Sequence, residues 1–488
     1  MSVFRVIAKQ SATYGVASAV ERAASIFLLP VYTRYLSPAE YGILELLATT
    51  ISVVQLLVGL RLQEGLFYFY SKAEDAASRQ RTVTTALAGT TLLAVLVASL
   101  GFAGGNWLSN LIFETPDYGG MFAVALLSLA LNLVAETGFA YLRAIESAGH
   151  FTVMTAFRLA VSAGVAVSSL VVWHLGVWAL LWGNLAGAAA TAIYMASLIL
   201  WRMRPRFDRR LLMAQIAFSA PIGVAGLGML FLHYGDRYFL ERSVSLAEIG
   251  VYALAYKMAM IVSFAHGPFQ RHWSAQMYSI VARPDGDEIY VRVTTYLLFV
   301  LTLVALGLSL FARPLVTIMA PAGYRGAAAL VPWLSLAYVV RGFGDHVKSV
   351  FNIRRRTKLH LPVAAGAVAV VAAAYATLIP QFGVAGAVAS TMLGFAAFAG
   401  IAYLFAQRVH RYRFETARLM KMAVLAVAVA AGFGFAEPAG FLNQMLLGAG
   451  GMATWLLLLV AVRFFRPHEI EALRGAVREL RGRAVPSR

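Results

Sequence analysis

The sequence contains no cysteine, so it has neither a disulfide framework nor thiol chemistry. Charged residues are also scarce: they make up 13% of the 488 residues, whereas a soluble globular domain has about 25%. Acidic side chains are the scarcer kind, with 23 Asp and Glu against 41 Lys and Arg, while hydrophobic residues make up 60% of the chain. These proportions exclude an ordinary soluble domain and predict a membrane protein.

Apolar runs of about 20 residues recur along the whole chain, and each is long enough to cross a bilayer as a helix. The first run has Glu21 and Arg22 at its middle and lacks the exit of a cleaved signal peptide. In the fifth run, we expect Arg158 to reach the membrane interface. We predict an all-α polytopic membrane protein with about fourteen transmembrane helices, at residues 11–31, 41–60, 82–103, 120–142, 154–173, 177–201, 211–233, 249–269, 291–311, 327–350, 361–379, 384–406, 420–436 and 442–462.

The basic residues predict the orientation of these helices, because Lys and Arg are enriched in cytoplasmic loops. With the N-terminus inside, 33 of the 41 basic residues fall in cytoplasmic segments and 5 in outer segments. Both termini are therefore predicted to be cytoplasmic. A basic chain can bind nucleic acid, but these cations are dispersed over many short loops beside the membrane. We expect no nucleic-acid partner.

The phrase SPAEYG at Ser37–Gly42 occurs again as SLAEIG at Ser245–Gly250, which is 208 residues later. Each copy places a Ser three residues before a Glu, the pattern of an N-terminal capping box on a helix. SATYGVA and SAPIGVA share the offset of 208, and LGVWALLWGN and FGVAGAVAST share one of 207. Because six predicted helices separate the copies, both copies cross the membrane in the same direction.

This repeat predicts the domain organisation. We predict two parallel six-helix lobes at 1–210 and 211–410, two further helices within 411–465, and a cytoplasmic amphipathic tail at 466–488. Superposing the lobes should pair Ser37 with Ser245 and Gly176 with Gly383. Parallel repeats are a known transporter architecture, with the substrate site near the membrane midplane between the halves.

The segment RYLSPAEYGILELL, with ASIFLLPVYT before it and YFYSK at Tyr68–Lys72 after it, resembles the opening of bacterial polysaccharide flippases. These belong to the multidrug/oligosaccharidyl-lipid/polysaccharide exporter superfamily. The resemblance implies a protein of the bacterial inner membrane, not an enzyme, that serves O-antigen, capsule or exopolysaccharide synthesis. Its substrate would be an undecaprenyl-diphosphate-linked oligosaccharide, moved from the cytoplasmic to the outer leaflet by alternating access. Candidate partners are a polysaccharide polymerase or an assembly complex.

Three cations fall well inside predicted spans, away from the span ends: Arg22, Lys257 and Arg341. A cation inside a span is costly and usually faces a cavity or a partner. Since the three come from both predicted lobes, we expect them to bind the diphosphate of the lipid-linked substrate. The alternative is internal ion pairing, because Asp345 lies four residues after Arg341 on the same helix face.

Three intramembrane carboxylates, on Glu21, Glu136 and Asp345, are the candidates for coupling transport to a proton or sodium gradient. Coupling to the membrane potential is the other option. The chain has no G-x-x-x-x-G-K-[ST] motif, so it carries no ATP-hydrolysing P-loop. We expect neither a cofactor nor a metal.

Two other functions fit the composition. A drug or metabolite extruder of the same superfamily would favour net carboxylates in its cavity, whereas a diphosphate substrate calls for cations. A membrane glycosyltransferase or polymerase would need catalytic groups on a substantial outer loop. The predicted outer segments near 104–119, 234–248 and 312–326 are short connectors.

Overall fold

The computed structural model describes residues 26–59, 61–434 and 440–466, together with positions 20, 24 and 436. In this part of the chain the regular elements are helices, and no strand occurs. The all-α prediction is confirmed. The helices are α1 (residues 26–35), α2 (Pro38–Val58), α3 (Leu62–Lys72), α4 (Ala76–Phe113), α5 (Gly119–Ala144), α6 (Ala148–Val171), α7 (Val177–Arg202), α8 (Arg209–Tyr234), α9 (Asp236–Glu241), α10 (Leu246–Val281), α11 (Gly286–Leu310), α12 (Ala312–Met319), α13 (Ala327–Val347), α14 (Ser349–Ile353), α15 (His360–Val409), α16 (Thr416–Gly434) and α17 (Phe441–Ala461).

These helices account for the predicted spans that lie in the described part of the chain. There, 11 helices are long and apolar enough to cross a membrane, or 12 with the two bent halves of α8 counted as one span. The helix α15 covers two predicted spans, since it consists of two helices that meet at Gly383. Most of the first predicted span lies outside the described residues. The prediction of a polytopic helical membrane protein is therefore confirmed.

Local sequence sets where several helices begin and bend. The Asp208 carboxylate accepts hydrogen bonds from the backbone N–H groups of Arg210 and Leu211 at 2.9 and 3.1 Å, which caps α8. The same helix bends by 44° between Arg209–Pro221 and Gly226–Tyr234. Because proline lacks a backbone N–H and its ring clashes with the preceding turn, Pro221 accounts for this bend.

Both copies of the repeated phrase form the predicted capping box. The Ser37 backbone N–H donates to the Glu40 carboxylate at 2.8 Å, and the Glu40 N–H donates to Ser37 Oγ at 3.3 Å. In the second copy the matching distances between Ser245 and Glu248 are 3.0 and 3.3 Å. The capping-box prediction is confirmed at the start of α2 and of α10.

The two phrases also pack against each other, through the glycine that ends each one. A Cβ atom on Gly42 would overlap the carbonyl oxygen of Leu246, and one on Gly250 would overlap the carbonyl oxygen of Pro38. Pro38 and Leu246 are themselves corresponding positions of the repeat, so the crossing of α2 and α10 is symmetric. Only glycine lets the backbones approach this closely.

Gly176 and Gly383, the other predicted pair, have nearly identical backbone conformations. Their φ and ψ angles are 56° and −133° at Gly176 and 55° and −128° at Gly383. A residue with a side chain rarely adopts this conformation. This agreement supports the repeat, although the lobe boundaries themselves stay a prediction.

Contacts divide the chain into two compact units. The first contains residues up to Leu254 with Ile318–Arg325 and Ala367–Gly394, and the second contains Ala255–Thr317, Gly326–Gly366 and the residues from Phe395 onward. The first unit thus combines the predicted first lobe with parts of the second.

Candidate functional site

A polar cavity of about 560 Å³ lies inside the first unit, between α2, α5, α6 and α7. Apolar side chains such as Leu47 and Leu129 form part of its wall. Seven polar or charged side chains complete the described lining: Gln55, Ser128, Asn132, Glu136, Arg158, Ser162 and Asn184. A polar cavity inside membrane-spanning helices is costly, which makes it a candidate functional site.

Close packing of α6 on α7 shapes one wall of the cavity. A Cβ on Gly183 would lie 2.6 Å from the carbonyl oxygen of Ser162, and one on Gly187 would lie 2.8 Å from the Ser162 Cβ. Small residues at this spacing let membrane helices approach closely. As a result, the Ser162 hydroxyl donates to the Asn184 side-chain oxygen at 3.3 Å at the edge of the cavity.

The two charged side chains of the described lining form an ion pair. Arg158 Nη1 lies 3.1 Å from Glu136 Oε1, and the two side chains are 27% and 33% exposed. The Arg158 guanidinium also stacks over the Phe139 ring, 5.0 Å from its centroid. Arg158 is therefore held by two side chains of α5, which sequence did not indicate, and its position relative to the membrane interface stays a prediction.

Two amide side chains in the lining remain open for hydrogen bonding. Within the described part of the chain, the side chains of Gln55 and Asn132 make no hydrogen bond. Each amide offers two donors and an acceptor. The hydroxyl groups of Ser128 and Ser162 and the ion pair of Glu136 with Arg158 also belong to the described lining. The lining thus combines hydrogen-bond donors and acceptors.

The residues predicted from sequence fall in three places. Glu136 lines the cavity, as described above, and Lys257 is half-buried in α10 of the second unit. Arg341 Nε lies 3.6 Å from Asp345, and Lys348 Nζ lies 2.5 Å from the same carboxylate, also in the second unit. Arg341 thus has the ion-pair partner that the alternative interpretation named.

Glu21 and Arg22 lie outside the described residues, and so does the predicted tail from residue 467 onward. Binding of the diphosphate by Arg22, Lys257 and Arg341 stays a prediction. The same holds for ion coupling through Glu21, Glu136 and Asp345.

Sequence reasoning missed a fully buried charge cluster in the first unit. Arg237 Nη1 lies 3.0 Å from Asp236, and Arg237 Nε lies 3.6 Å from Glu45, with these side chains at most 6% exposed. The Tyr252 hydroxyl donates to Asp236. Burial raises the pKa of Asp236, and the adjacent guanidinium opposes that shift. Glu45 lies inside the predicted span 41–60, so a survey of all carboxylates within spans would have found it.

Two solved structures share the fold of this chain. The lipid II flippase MurJ, in its inward closed conformation, matches with a TM-score of 0.73 at 11% identity, over 92% of this chain and 99% of that one. An inward-facing multidrug resistance MATE family transporter of the MOP superfamily matches with a TM-score of 0.65 at 13% identity, over 80% and 94%. At these identities the likeness shows the fold alone: the chain folds as these multi-pass membrane proteins do.

The family follows from the sequence. The profile of the polysaccharide biosynthesis protein family matches residues 31–329, more than half of the chain, and the chain belongs to that family. A protein of the Lsg locus of Haemophilus influenzae is 24% identical over 275 residues. That match covers 53% of this chain and 62% of the relative, which is less than two thirds of the relative's length.

Proposed function

We propose that this protein is a flippase that moves an undecaprenyl-diphosphate-linked oligosaccharide from the cytoplasmic to the outer leaflet of the bacterial inner membrane. Its place would be in cell-surface polysaccharide synthesis, with both termini in the cytoplasm. The polar cavity among membrane-spanning helices carries this proposal, because a sugar crossing the membrane needs hydrogen-bonding groups in place of water. The family and the transporter fold support it.

The cavity lining favours a sugar over the cationic drugs of an extruder. An extruder of cations would gain from an unpaired carboxylate, but Glu136 is neutralised by Arg158 at 3.1 Å. Amide and hydroxyl groups such as those of Asn132 and Ser162 match the hydroxyl groups of a sugar. We therefore assign the cavity to the oligosaccharide head of the substrate.

The connections between helices argue against an enzyme on the same lipid-linked sugars. Residues 114–118 join α4 to α5, residues 242–245 join α9 to α10, and residues 320–326 join α12 to α13. These connectors are too short to hold a catalytic domain. A polymerase or assembly complex would then act as a separate partner, and transport would draw on an ion gradient or the membrane potential.

A leaflet-exposure assay on the purified protein tests the proposal. Proteoliposomes carrying a labelled polyprenyl-diphosphate oligosaccharide are treated with a glycosidase that cannot cross the membrane. We expect the protein to expose substrate from the inner leaflet faster than protein-free liposomes do. Equal rates of substrate exposure with and without the protein would refute the flippase. A product with new glycosidic bonds would indicate an enzyme. Export of cationic dyes alone would indicate an extruder.

A cavity variant with a matched control tests the assigned site. Gln55→Leu removes one amide from the lining, and we expect it to weaken apparent substrate affinity about two- to tenfold, the worth of one neutral hydrogen bond. Gln276→Leu makes the same change at an exposed position of α10 outside the cavity. Equal affinities of the two variants would show that the cavity does not contact the substrate.

A further inference from the structure

A groove of about 360 Å³ runs between α10 and α11 in the second unit. Phe269 forms part of the α10 wall. One face of α11 forms the opposite wall, and Val300 at its end is 43% exposed, so the groove opens to the outside of the helices. The residues of that face are Ile289, Arg292, Val293, Tyr296, Leu297 and Val300.

The length of the groove matches one leaflet of a membrane. Its α11 residues recur at steps of three and four, which keeps them on one helix face. From Ile289 to Val300 the helix rises about 16 Å at about 1.5 Å per residue. That is about half of the hydrocarbon core, which is about 30 Å thick.

Arg292 is the one charged side chain in the described lining, and it lies near the end of the groove where α11 begins. Within the described part of the chain it makes no ion pair or hydrogen bond. Two acids near the start of α11 have partners: Asp285 pairs with Arg283 at 3.1 Å, and Asp287 pairs with Arg354 at 3.7 Å. The third, Glu288, is exposed one turn before Arg292 and forms no ion pair with it in the described part of the chain. The guanidinium therefore remains open to an anion from outside the chain.

We propose that this groove binds an anionic phospholipid, with an acyl chain along α11 and the phosphate on Arg292. A guanidinium presents a planar fork of donors that fits phosphate oxygens, and it belongs at the level of the headgroups. The start of α11 is the cytoplasmic end in the predicted topology, so the lipid belongs to the inner leaflet. The undecaprenyl chain of the transported substrate is much longer than this groove, which favours an ordinary phospholipid.

Native mass spectrometry of the purified protein, titrated with phosphatidylglycerol, tests the proposal without any oligosaccharide. Arg292→Ala should weaken binding of the tightest lipid about tenfold, the worth of one charge-assisted hydrogen bond. Val293→Trp fills the groove without changing the charge and should also lose the lipid. Arg271→Ala, which removes an exposed cation of α10 outside the groove, should bind as the wild type does.

The wild-type protein supplies a second test that needs no variant. Phosphatidylglycerol should bind at least fivefold more tightly than phosphatidylcholine with the same acyl chains, and added salt should reduce that difference. Equal binding of the two lipids would refute the proposal. Equal losses of lipid affinity in Arg292→Ala and Arg271→Ala would also refute it, because Arg292 would then contribute no more to binding than a cation outside the groove.

Discussion

The symmetric crossing of α2 and α10 makes a quantitative prediction about two glycines. A Cβ on Gly250 would lie 2.8 Å from the carbonyl carbon of Pro38 and 3.1 Å from the amide nitrogen of Gly42, where ordinary contacts begin at 3.4 Å. The obstructing atoms are backbone and cannot rotate away. To bring the added Cβ to an ordinary contact with the Pro38 carbonyl carbon, the two helices must therefore separate by at least 0.6 Å. We expect Gly250→Ala to destabilise the protein by about 1–3 kcal/mol, the usual cost of overpacking a core.

Gly42→Ala should have a similar effect, because its Cβ would lie 3.0 Å from the carbonyl carbon of Leu246. The double variant should cost less than the sum of the single variants, since one separation of the helices accommodates both methyl groups. Gly104→Ala is the matched control: it lies in α4 of the same unit and has nothing within 4 Å of the added Cβ. An alanine there should leave stability unchanged or raise it slightly.

Thermal unfolding of the detergent-purified variants, followed by circular dichroism or scanning fluorimetry, measures these differences. Midpoints for Gly42→Ala and Gly250→Ala at or above that of Gly104→Ala would refute the close crossing. Strictly additive losses in the double variant would refute the shared separation.

Three further predictions address charge and topology. Arg237→Ala should sharply reduce the amount of protein in the membrane, because truncation leaves the buried carboxylates of Glu45 and Asp236 without this guanidinium. Breaking a buried pair costs about 3–5 kcal/mol. Immunoblotting measures the amount of protein, and normal abundance would contradict the buried cluster. Reporter fusions after residues 110, 205, 355 and 485 should read outside, inside, inside and inside; a reversal at 205 or 355 would also overturn the parallel repeat. Arg22→Ala should abolish polymer export while the protein still accumulates, and Arg22→Lys should retain part of the activity, since lysine keeps the charge but loses two-pronged hydrogen bonding. Wild-type export by Arg22→Ala at normal abundance would rule out a role for this cation.

The predictions that succeeded rest on properties of short segments. Hydropathy over about 20 residues identifies a span whatever packs against it. The capping boxes at Ser37 and Ser245 depend on hydrogen bonds three residues apart. The matching conformations of Gly176 and Gly383 were not predicted, although each depends on a single residue. Such features can be read along the chain, because distant residues do little to change them.

The site could be predicted only in part, because its members are distant in sequence. Glu136 was a candidate for ion coupling, but sequence did not show that Arg158, on the next helix, neutralises it at 3.1 Å. Arg158 itself was expected at the membrane interface. Gln55 and Asn132 carried no signal, since a single amide in an apolar run faces a cavity or a neighbouring helix equally well.

The sequence alone thus determined a helical, multi-pass membrane protein with two matching helix caps, since bilayer thickness and capping act locally. Only the tertiary structure decided which charges meet. Arg237, expected in an outer connector, lies fully buried against Glu45 of α2. The rotation of each helix about its axis, and therefore the neighbour of each polar side chain, follows from the packing of helices far apart in the chain. Membrane helices pack through small residues and polar contacts, and these signals do not name their partner.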